Sequence, residues 1–580
     1  MKLLRTLLLL LLTVGLGCRA ASPTLPVAVE RAPAAWQYRL DAEAAVGARG
    51  MVVTEAPLAT RVGLAVLERG GNAVDAAVAT AFALAVVLPS AGNIGGGGFL
   101  LLRIDGELYA LDYRETAPGA AHRDMYLDAR GEPTVASRTG QLAAGVPGSV
   151  AGLWEAHRRL GSRPWAALVE PAIRLADEGF EIDADFAAEL RGDEERLARF
   201  PSSAELFLPR GEPLAQGALF RNPDLARTLR RIADRGPAGF YEGETSELIV
   251  AEMRRGTGTV TNEDLRAYRA KWREPLEFSY RGRRVVSMPP PSSGGVALAL
   301  IAHQLEAHDL AALGWRSPAS IHVQVEAIRR AFAVRNSMLG DPDFVEIPLA
   351  RLLSAGFAAD LAASFTAERA TPSARVGPGL GTDAEGQHTT HVSVADEHGN
   401  VAAMTTTLNA SHGSAVTVRG AGFLLNNEMD DFTVKPGAPN MFGLEQGEAN
   451  AIAPGKRMLS SMTPTIVLDP RGEPVLVTGA SGGPRIITAT FLILSAVLDH
   501  GMGVAGALAA PRFHHQHLPD AIALERDGFE APLVRTLGEL GHEIRWLDPV
   551  SGSLSATIER RDDRWSGASD PRTHGLALGY

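Results

Sequence analysis

Thr389 is the residue of this chain whose type and setting most invite chemistry. A stretch rich in Pro, Gly, Ser and Asp runs from Thr371 to His388, then gives way abruptly to the alternating run Thr389-Thr390-His391-Val392-Ser393-Val394. A second such run, Val401 to Asn409, follows across Glu397-His398-Gly399. A three-residue hairpin loop needs one left-handed position, which Gly399 supplies. The register this loop imposes pairs Asp396 with Asn400 and sets Thr389 opposite Thr407, within about 5 Å on one face of a sheet. Their hydroxyls can then hydrogen-bond. A threonine hydroxyl is a poor nucleophile until a base takes its proton. A freed α-amino group, with an ordinary pKa of about 7.7–8.0, can be that base. A break between His388 and Thr389 would put that amine on the nucleophile itself. Taken alone, the same residues also suit a plain half-buried threonine-rich strand.

Ser481 is the rival. Gly479-Ala480-Ser481-Gly482-Gly483 fits the G-x-S-x-G elbow between a strand, Pro474 to Thr478, and a helix, Ile486 to Leu498. Asp520, Asp527, His542 and His574 lie downstream as partners. Yet a chain with 61 glycines produces this short pattern readily, and tight strand-to-helix turns want Gly and Ser for backbone reasons alone. Gly95 to Gly98 precede a strand and lack a following Gly-Lys-Ser/Thr, so they read as close packing and not as a phosphate loop. In Phe513-His514-His515-Gln516-His517 the adjacent histidines suit one tetrahedral metal poorly, and the chain's single cysteine, Cys18, is remote.

The elements that must position these groups follow from pattern. Asp75 to Leu88 is almost wholly apolar, too long for a strand and too short for a membrane span, hence a helix buried between layers. Strands are expected over Phe99 to Ile104, Glu107 to Tyr113 and Arg281 to Met288, and near 464–468 and 474–479. Helices are expected over Ser149 to Leu160, Trp165 to Glu178, Asp183 to Ala198, Asp224 to Asp234 and Val296 to His308, and near 484–500 and 528–541. Strand-rich layers with helices outside them suggest an α/β sandwich. The 580 residues carry 56 basic and 67 acidic side chains, a net charge of -11, with no basic stripe interleaved with aromatics, so nucleic-acid binding is not expected. Lys2 and Arg5 precede the apolar run Leu7 to Leu12, and Cys18 follows in Leu16-Gly17-Cys18. This is a targeting segment over 1–18, similar to a bacterial lipobox although Gly15 stands where Leu is usual, and Cys18 is the candidate lipidation site. Residues 19–50 read as a tether. An exported, periplasmic protein, lipid-anchored through Cys18, is the expectation.

A wider set of motifs carries a resemblance. Leu111-Asp112-Tyr113-Arg114-Glu115, Thr389-Thr390-His391, Thr407-Leu408-Asn409, Leu425 to Phe432, Leu459 to Thr465, Gly482-Gly483 and Ala568 to Arg572 occur in order and at familiar spacing. Together they resemble the γ-glutamyltranspeptidase (glutathione hydrolase) family, over nearly everything from Met51 to Tyr580. The resemblance implies an N-terminal-nucleophile hydrolase with an αββα sandwich, made as a precursor that cuts itself into a large subunit, 51–388, and a small subunit, 389–580. It implies Thr389 as nucleophile, Thr407 as its orienting partner, and the N–H groups of Gly482 and Gly483 as oxyanion hole. Arg114, Ser460 and Ser461 would take the α-carboxylate of a γ-glutamyl group; Asn409, Glu428 and Asp431 would take its α-ammonium, with Asp430 structural. Glutathione as donor, amino acids or dipeptides as acceptors, and no metal or cofactor complete the expectation. His388 before the cut, Glu428 in place of Gln, and Pro484 in place of Ser depart from common family patterns. The loop Pro436 to Asn450 resembles the family's lid. The alternatives are a Ser481 hydrolase and an exported, uncut binding protein for γ-glutamyl or amino-acid ligands.

Overall fold

The computed structural model describes residues 32–377, 388–549 and 553–580. The leader 1–18 with Cys18, the first part of the 19–50 segment and residues 378–387 lie outside the described residues.

Two seven-stranded sheets, each antiparallel throughout, face one another. The first runs edge to edge as Leu576–Gly579, Met51–Thr54, His388–Ala395, Val401–Asn409, Gly97–Ile104, Glu107–Asp112 and Lys271–Arg273. The second runs as Ala45–Gly47, Arg564–Ser569, Ala556–Arg561, Pro474–Thr478, Thr465–Leu468, Arg283–Ser287 and Leu276–Tyr280. Alternation along each strand builds three cores from two sheets. Met51, Val53, Phe99, Leu101, Ala403, Ile466, Val477 and Ile558 point inward and fill the space between the sheets. Val52, Leu100, Leu102, Val394 and Met404 point outward and pack on Val78 and Phe82 of the helix Ala73–Val87. On the far side, Val285, Val467 and Leu476 pack on the helices Gly294–Leu305, Pro318–Met338 and Arg485–Leu498. The layer order is therefore αββα, as the resemblance implied.

The apolar run expected from Asp75 is buried along its whole length, with Asn72 and Asp75 forming a reciprocal cap. The helices Ser149–Leu160 and Trp165–Glu178 have the expected bounds. One stretch differs from expectation. Ala45–Gly47, inside the segment read as tether, pairs with Trp565 to Gly567, and Trp36 is buried with its Nε1 donating to the Ala509 carbonyl at 2.8 Å. Packed structure thus begins ahead of Met51. A three-residue edge strand with Val46 exposed carries too little periodicity to stand out. No helix among the described residues is long and apolar enough to cross a membrane.

Candidate active site

The hairpin expected around Gly399 is present in the expected register: Thr389 faces Thr407, His391 faces Thr405 and Ala395 faces Val401. Gly399 takes φ 78°. The register slips by one between His388 and Thr389, where His388 pairs with Asn409. Such a bulge bends a strand and re-aims its residues, and here it lies at the bond that self-cleavage would break. The alternation fixed at Val394 and Ala395 sends Thr389, His391 and Ser393 into the gap between the sheets. Ser393 Oγ spans it, donating to the Ala556 carbonyl at 2.8 Å. Thr389 therefore sits at one end of the inter-sheet gap, 6% exposed. Its hydroxyl donates to Thr407 Oγ1 at 3.3 Å, and Thr407 Oγ1 also accepts the Asn409 amide at 2.8 Å. His391, two residues behind, is kept neutral by burial, which pushes its pKa down to about 3. It is spent on Thr405 Oγ1 at 2.8 Å and Ser393 Oγ at 3.2 Å.

A cavity beside Thr389 is lined by Arg114, Arg335, Thr407, Asn409, Asp431, Ser460, Ser461 and Gly483, with Phe442 and Leu444 from the lid-like loop. Arg114 is 1% exposed. Its Nη1 lies 2.6 Å from Glu428 Oε2 and its Nη2 lies 2.5 Å from Asp431 Oδ2, with Glu115 at 3.6 Å. Burial works against the guanidinium charge, but these carboxylates outweigh it and raise its pKa. Burial has the opposite effect on the acids: it lifts Glu115 to about 7, Glu428 well above the usual range, and Asp431 upward, with Arg114 opposing in each case. Neither Glu428 oxygen receives a well-aligned hydrogen bond among the described residues, so that carboxylate keeps acceptor capacity.

Ser460 and Ser461 stand on a segment tied to the start of the helix Gly294–Leu305, where Ser293 donates from both its amide and its hydroxyl to the Ser460 carbonyl at 2.7 Å. Gly482 and Gly483 take φ 111° and 57°. A Cβ on Gly483 would come 2.8 Å from the Phe442 ring, so the close approach of the lid-like loop needs glycine there. Gly483 lines the cavity, and Gly482 stands one residue behind it. Asp430 is structural: it accepts from Ser137 Oγ at 2.6 Å and from the Met441 amide at 2.8 Å, holding the loop that carries Phe442. Gln446 and Asn450 of the same loop donate to the Asp431 carbonyl.

The Ser481 hydroxyl is engaged elsewhere. It accepts from the Leu554 amide at 3.2 Å and faces the Leu554 carbonyl, and no histidine is among its partners within the described residues. The histidines of 514–517 diverge: His514 meets Thr488 and Gln516, His515 faces Asp520, and His517 meets the Ser373 carbonyl. His322, Glu326 and His542 lie within 4.8 Å of one another, but as a closed relay. Arg329 faces His542 Nδ1, His542 Nε2 pairs with His322 Nδ1 at 2.8 Å, and His322 Nε2 pairs with the Thr366 carbonyl. Glu326 is held by Arg330 and the Thr371 amide. A metal there would displace a satisfied network beside two arginines.

Sequence reasoning did not find Arg335 or Phe442. Arg335 is one of several arginines on a helix of mixed character, and nothing local marks it. A Phe in a Gly/Pro-rich loop gives no sign of which wall it meets.

A family model described as gamma-glutamyltranspeptidase matches residues 59–580. The glutathione hydrolase proenzyme of Pseudomonas sp. (strain A14) is 45% identical over 553 residues, covering 93% of this chain and 96% of the relative. That of Escherichia coli (strain K12) is 44% identical over 536 residues, covering 92% of each. Among solved structures, the cephalosporin acylase from Bacillus halodurans superposes with a TM-score of 0.84 at 27% identity, covering 95% of this chain and 99% of that one. The gamma-glutamyltranspeptidase of Helicobacter pylori gives 0.55 at 44% identity, covering 57% and 95%.

Proposed function

Because this chain belongs to the gamma-glutamyltranspeptidase family, we propose that it is an autoprocessed γ-glutamyltransferase and glutathione hydrolase whose nucleophile is Thr389. The observation that carries this reading is the Thr389–Thr407 hydroxyl pair, at 3.3 Å, on a strand that begins at a bulge and opens onto a cavity with paired charges.

Self-cleavage comes first. Thr389 Oγ1 attacks the His388 carbonyl carbon, the His388–Thr389 C–N bond breaks as the nitrogen gains the proton, and an ester links the two residues. Water then cleaves the ester, leaving a carboxylate on His388 and a free amine on Thr389. In turnover that amine accepts the Thr389 hydroxyl proton while Oγ1 attacks the γ-carbonyl of the donor. N–H groups of Gly483 and Gly482 stabilise the developing oxyanion. The amine of the leaving group takes the proton and departs, as Cys-Gly does from glutathione. Water, or the amine of an amino acid or dipeptide, resolves the γ-glutamyl ester.

Charge supports a zwitterionic donor end. Arg114, whose planar fork matches a carboxylate, and the hydroxyls of Ser460 and Ser461 serve the α-carboxylate. Asp431, the free acceptor sites of Glu428, and Asn409 serve the α-ammonium. An acyl group without that ammonium would leave Glu428 and Asp431 with Arg114 as the one cation in direct contact among the described residues, which favours γ-glutamyl donors over the substrate of the cephalosporin acylase. The leader 1–18 and Cys18 support export to the periplasm with a lipid anchor, and the break before Thr389 gives the proposed subunits: a large one that holds 51–388 joined to the segment after Cys18, and a small one, 389–580. The test is direct. Purified protein should run as two bands that consume glutathione, and Thr389→Ala should leave one inactive band. A single-band Thr389→Ala that still consumes glutathione overturns the assignment.

A further inference from the structure

The eight buried arginines of the described residues include seven that meet a carboxylate within ion-pair distance: Arg103, Arg114, Arg329, Arg330, Arg457, Arg512 and Arg572. Arg335 is the exception. It projects from the last turn of the helix Pro318–Met338, is 2% exposed, and lines the cavity shared by Thr389, Arg114 and Ser461. All its hydrogen bonds go to neutral oxygens: Nε to Ser293 Oγ at 3.2 Å, Nη1 to Asn336 Oδ1 at 3.1 Å and Gln446 Oε1 at 2.7 Å, and Nη2 to Ser461 Oγ at 3.3 Å. Burial pulls its pKa down to about 10, with Asp431 supporting the charge through space and Arg114 opposing it.

A buried charge without a counter-ion is strongly unfavourable, and removing one partner of a buried pair is what usually creates that state. Here the guanidinium that meets no carboxylate within ion-pair distance is the one that lines the cavity beside Thr389. Arg114, by contrast, is already matched by Glu428 and Asp431. The geometry also fixes a proton. Because Arg335 donates to Ser461 Oγ, the Ser461 hydroxyl is left to donate its own hydrogen elsewhere, and Ser461 borders the cavity. Through Ser293, which donates to the Ser460 carbonyl, the same guanidinium braces the segment carrying both serines.

We propose that Arg335 is the second cation of the donor subsite, a specificity-determining residue that supplies the missing counter-charge for the donor's α-carboxylate and turns the Ser461 hydroxyl toward it. This rests on the γ-glutamyl reading of the cavity. Its consequence is selectivity: the enzyme should discriminate against donors whose α-carboxylate is capped, and Arg335 should be a principal source of that discrimination.

The experiment compares two chromogenic donors, a γ-glutamyl anilide with a free α-carboxylate and the same anilide with an α-carboxamide. Wild-type mature enzyme should prefer the carboxylate. For Arg335→Gln, kcat/KM for the carboxylate donor should fall roughly 10- to 100-fold, the range for a hydrogen bond to a charged group, carried mainly by KM. The carboxamide donor should change by less than about threefold, the low end for loss of a neutral hydrogen bond. Equal losses for both donors would mean a merely structural role, and an unchanged carboxylate-to-carboxamide ratio would remove Arg335 from recognition; either overturns the proposal. Should Arg335→Gln fail to mature, Arg335→Lys carries the test. With charge kept and the fork lost, the ratio should fall between unity and the wild-type value, and an unaltered ratio overturns the idea. Wild-type enzyme that processes neither donor would overturn the γ-glutamyl reading itself, a failure visible before any variant is made.

Discussion

Replacing Thr407 with valine keeps the side-chain shape and removes one oxygen. That oxygen accepts from the Thr389 hydroxyl at 3.3 Å and from the Asn409 amide at 2.8 Å. The two losses act on different quantities. The buried Asn409 N–H left without a partner lowers stability by about 1–3 kcal/mol, before and after the cut alike. The Thr389 contact is long, so its worth is no more than that of a typical neutral hydrogen bond, about 1 kcal/mol, and it bears on the rate by holding Oγ1 in one rotamer. If only that population term is lost, both self-cleavage and turnover slow about fivefold; if the hydroxyl must also be re-oriented against a new preference, about 3 kcal/mol and roughly 100-fold follow. Thr407→Ser restores the oxygen and should recover most of both rates. The assay is a gel time course of purified precursor, followed by kcat on the mature enzyme. Cleavage and turnover in Thr407→Val within a factor of two of wild type would refute the orienting role.

Three further outcomes follow from the same geometry. Burial raises Glu428 and Asp431 above the usual carboxylate range, so the carboxylates proposed to hold the α-ammonium ionise at higher pH than exposed acids do; kcat/KM for glutathione should therefore fall as pH drops, and Glu428→Gln, which relieves Asp431 of a like charge, should move that limb to lower pH. Glu115 titrates near 7 when folded and near 4.5 when unfolded, so its neutral form supports the fold below about 4.5 and that support is lost as pH rises to 7. Measured by thermal unfolding in a Thr389→Ala background, Glu115→Gln should thus gain on its parent by roughly 1–3 kcal/mol across that window; a gain in the opposite direction contradicts the burial argument. Ser481→Ala loses only contacts to the Leu554 backbone and should keep turnover within about tenfold, a loss of no more than one hydrogen bond, whereas the elbow chemistry requires its abolition.

Local signals made the hairpin legible. Gly399 fixed the loop, the loop fixed the register, and the register placed Thr389 against Thr407. The helix Ala73–Val87 was equally plain, because an unbroken apolar run has few other places to go. The order of strands within each sheet was not legible: Leu576–Gly579 pairs with Met51–Thr54 across the whole chain, and no pattern within either strand names its partner. The bulge at His388 and Thr389 also escaped, since it arises from how the strand leaves the sheet and not from residue type. For the site, the motif residues Arg114, Glu428, Asp431, Ser460 and Ser461 could be named by resemblance. That Arg114 is matched by Glu428 and Asp431 while Arg335 stands without a carboxylate is a property of three-dimensional charge placement, invisible to spacing along a helix.

The central claim is a break before Thr389 that frees the amine its hydroxyl uses. Intact mass and N-terminal sequencing of freshly purified, active protein test it most directly. The expected result is a small polypeptide that begins Thr-Thr-His and has the mass of residues 389–580. A single uncut chain that consumes γ-glutamyl donors at full rate, or a fragment beginning at any other residue, would contradict it.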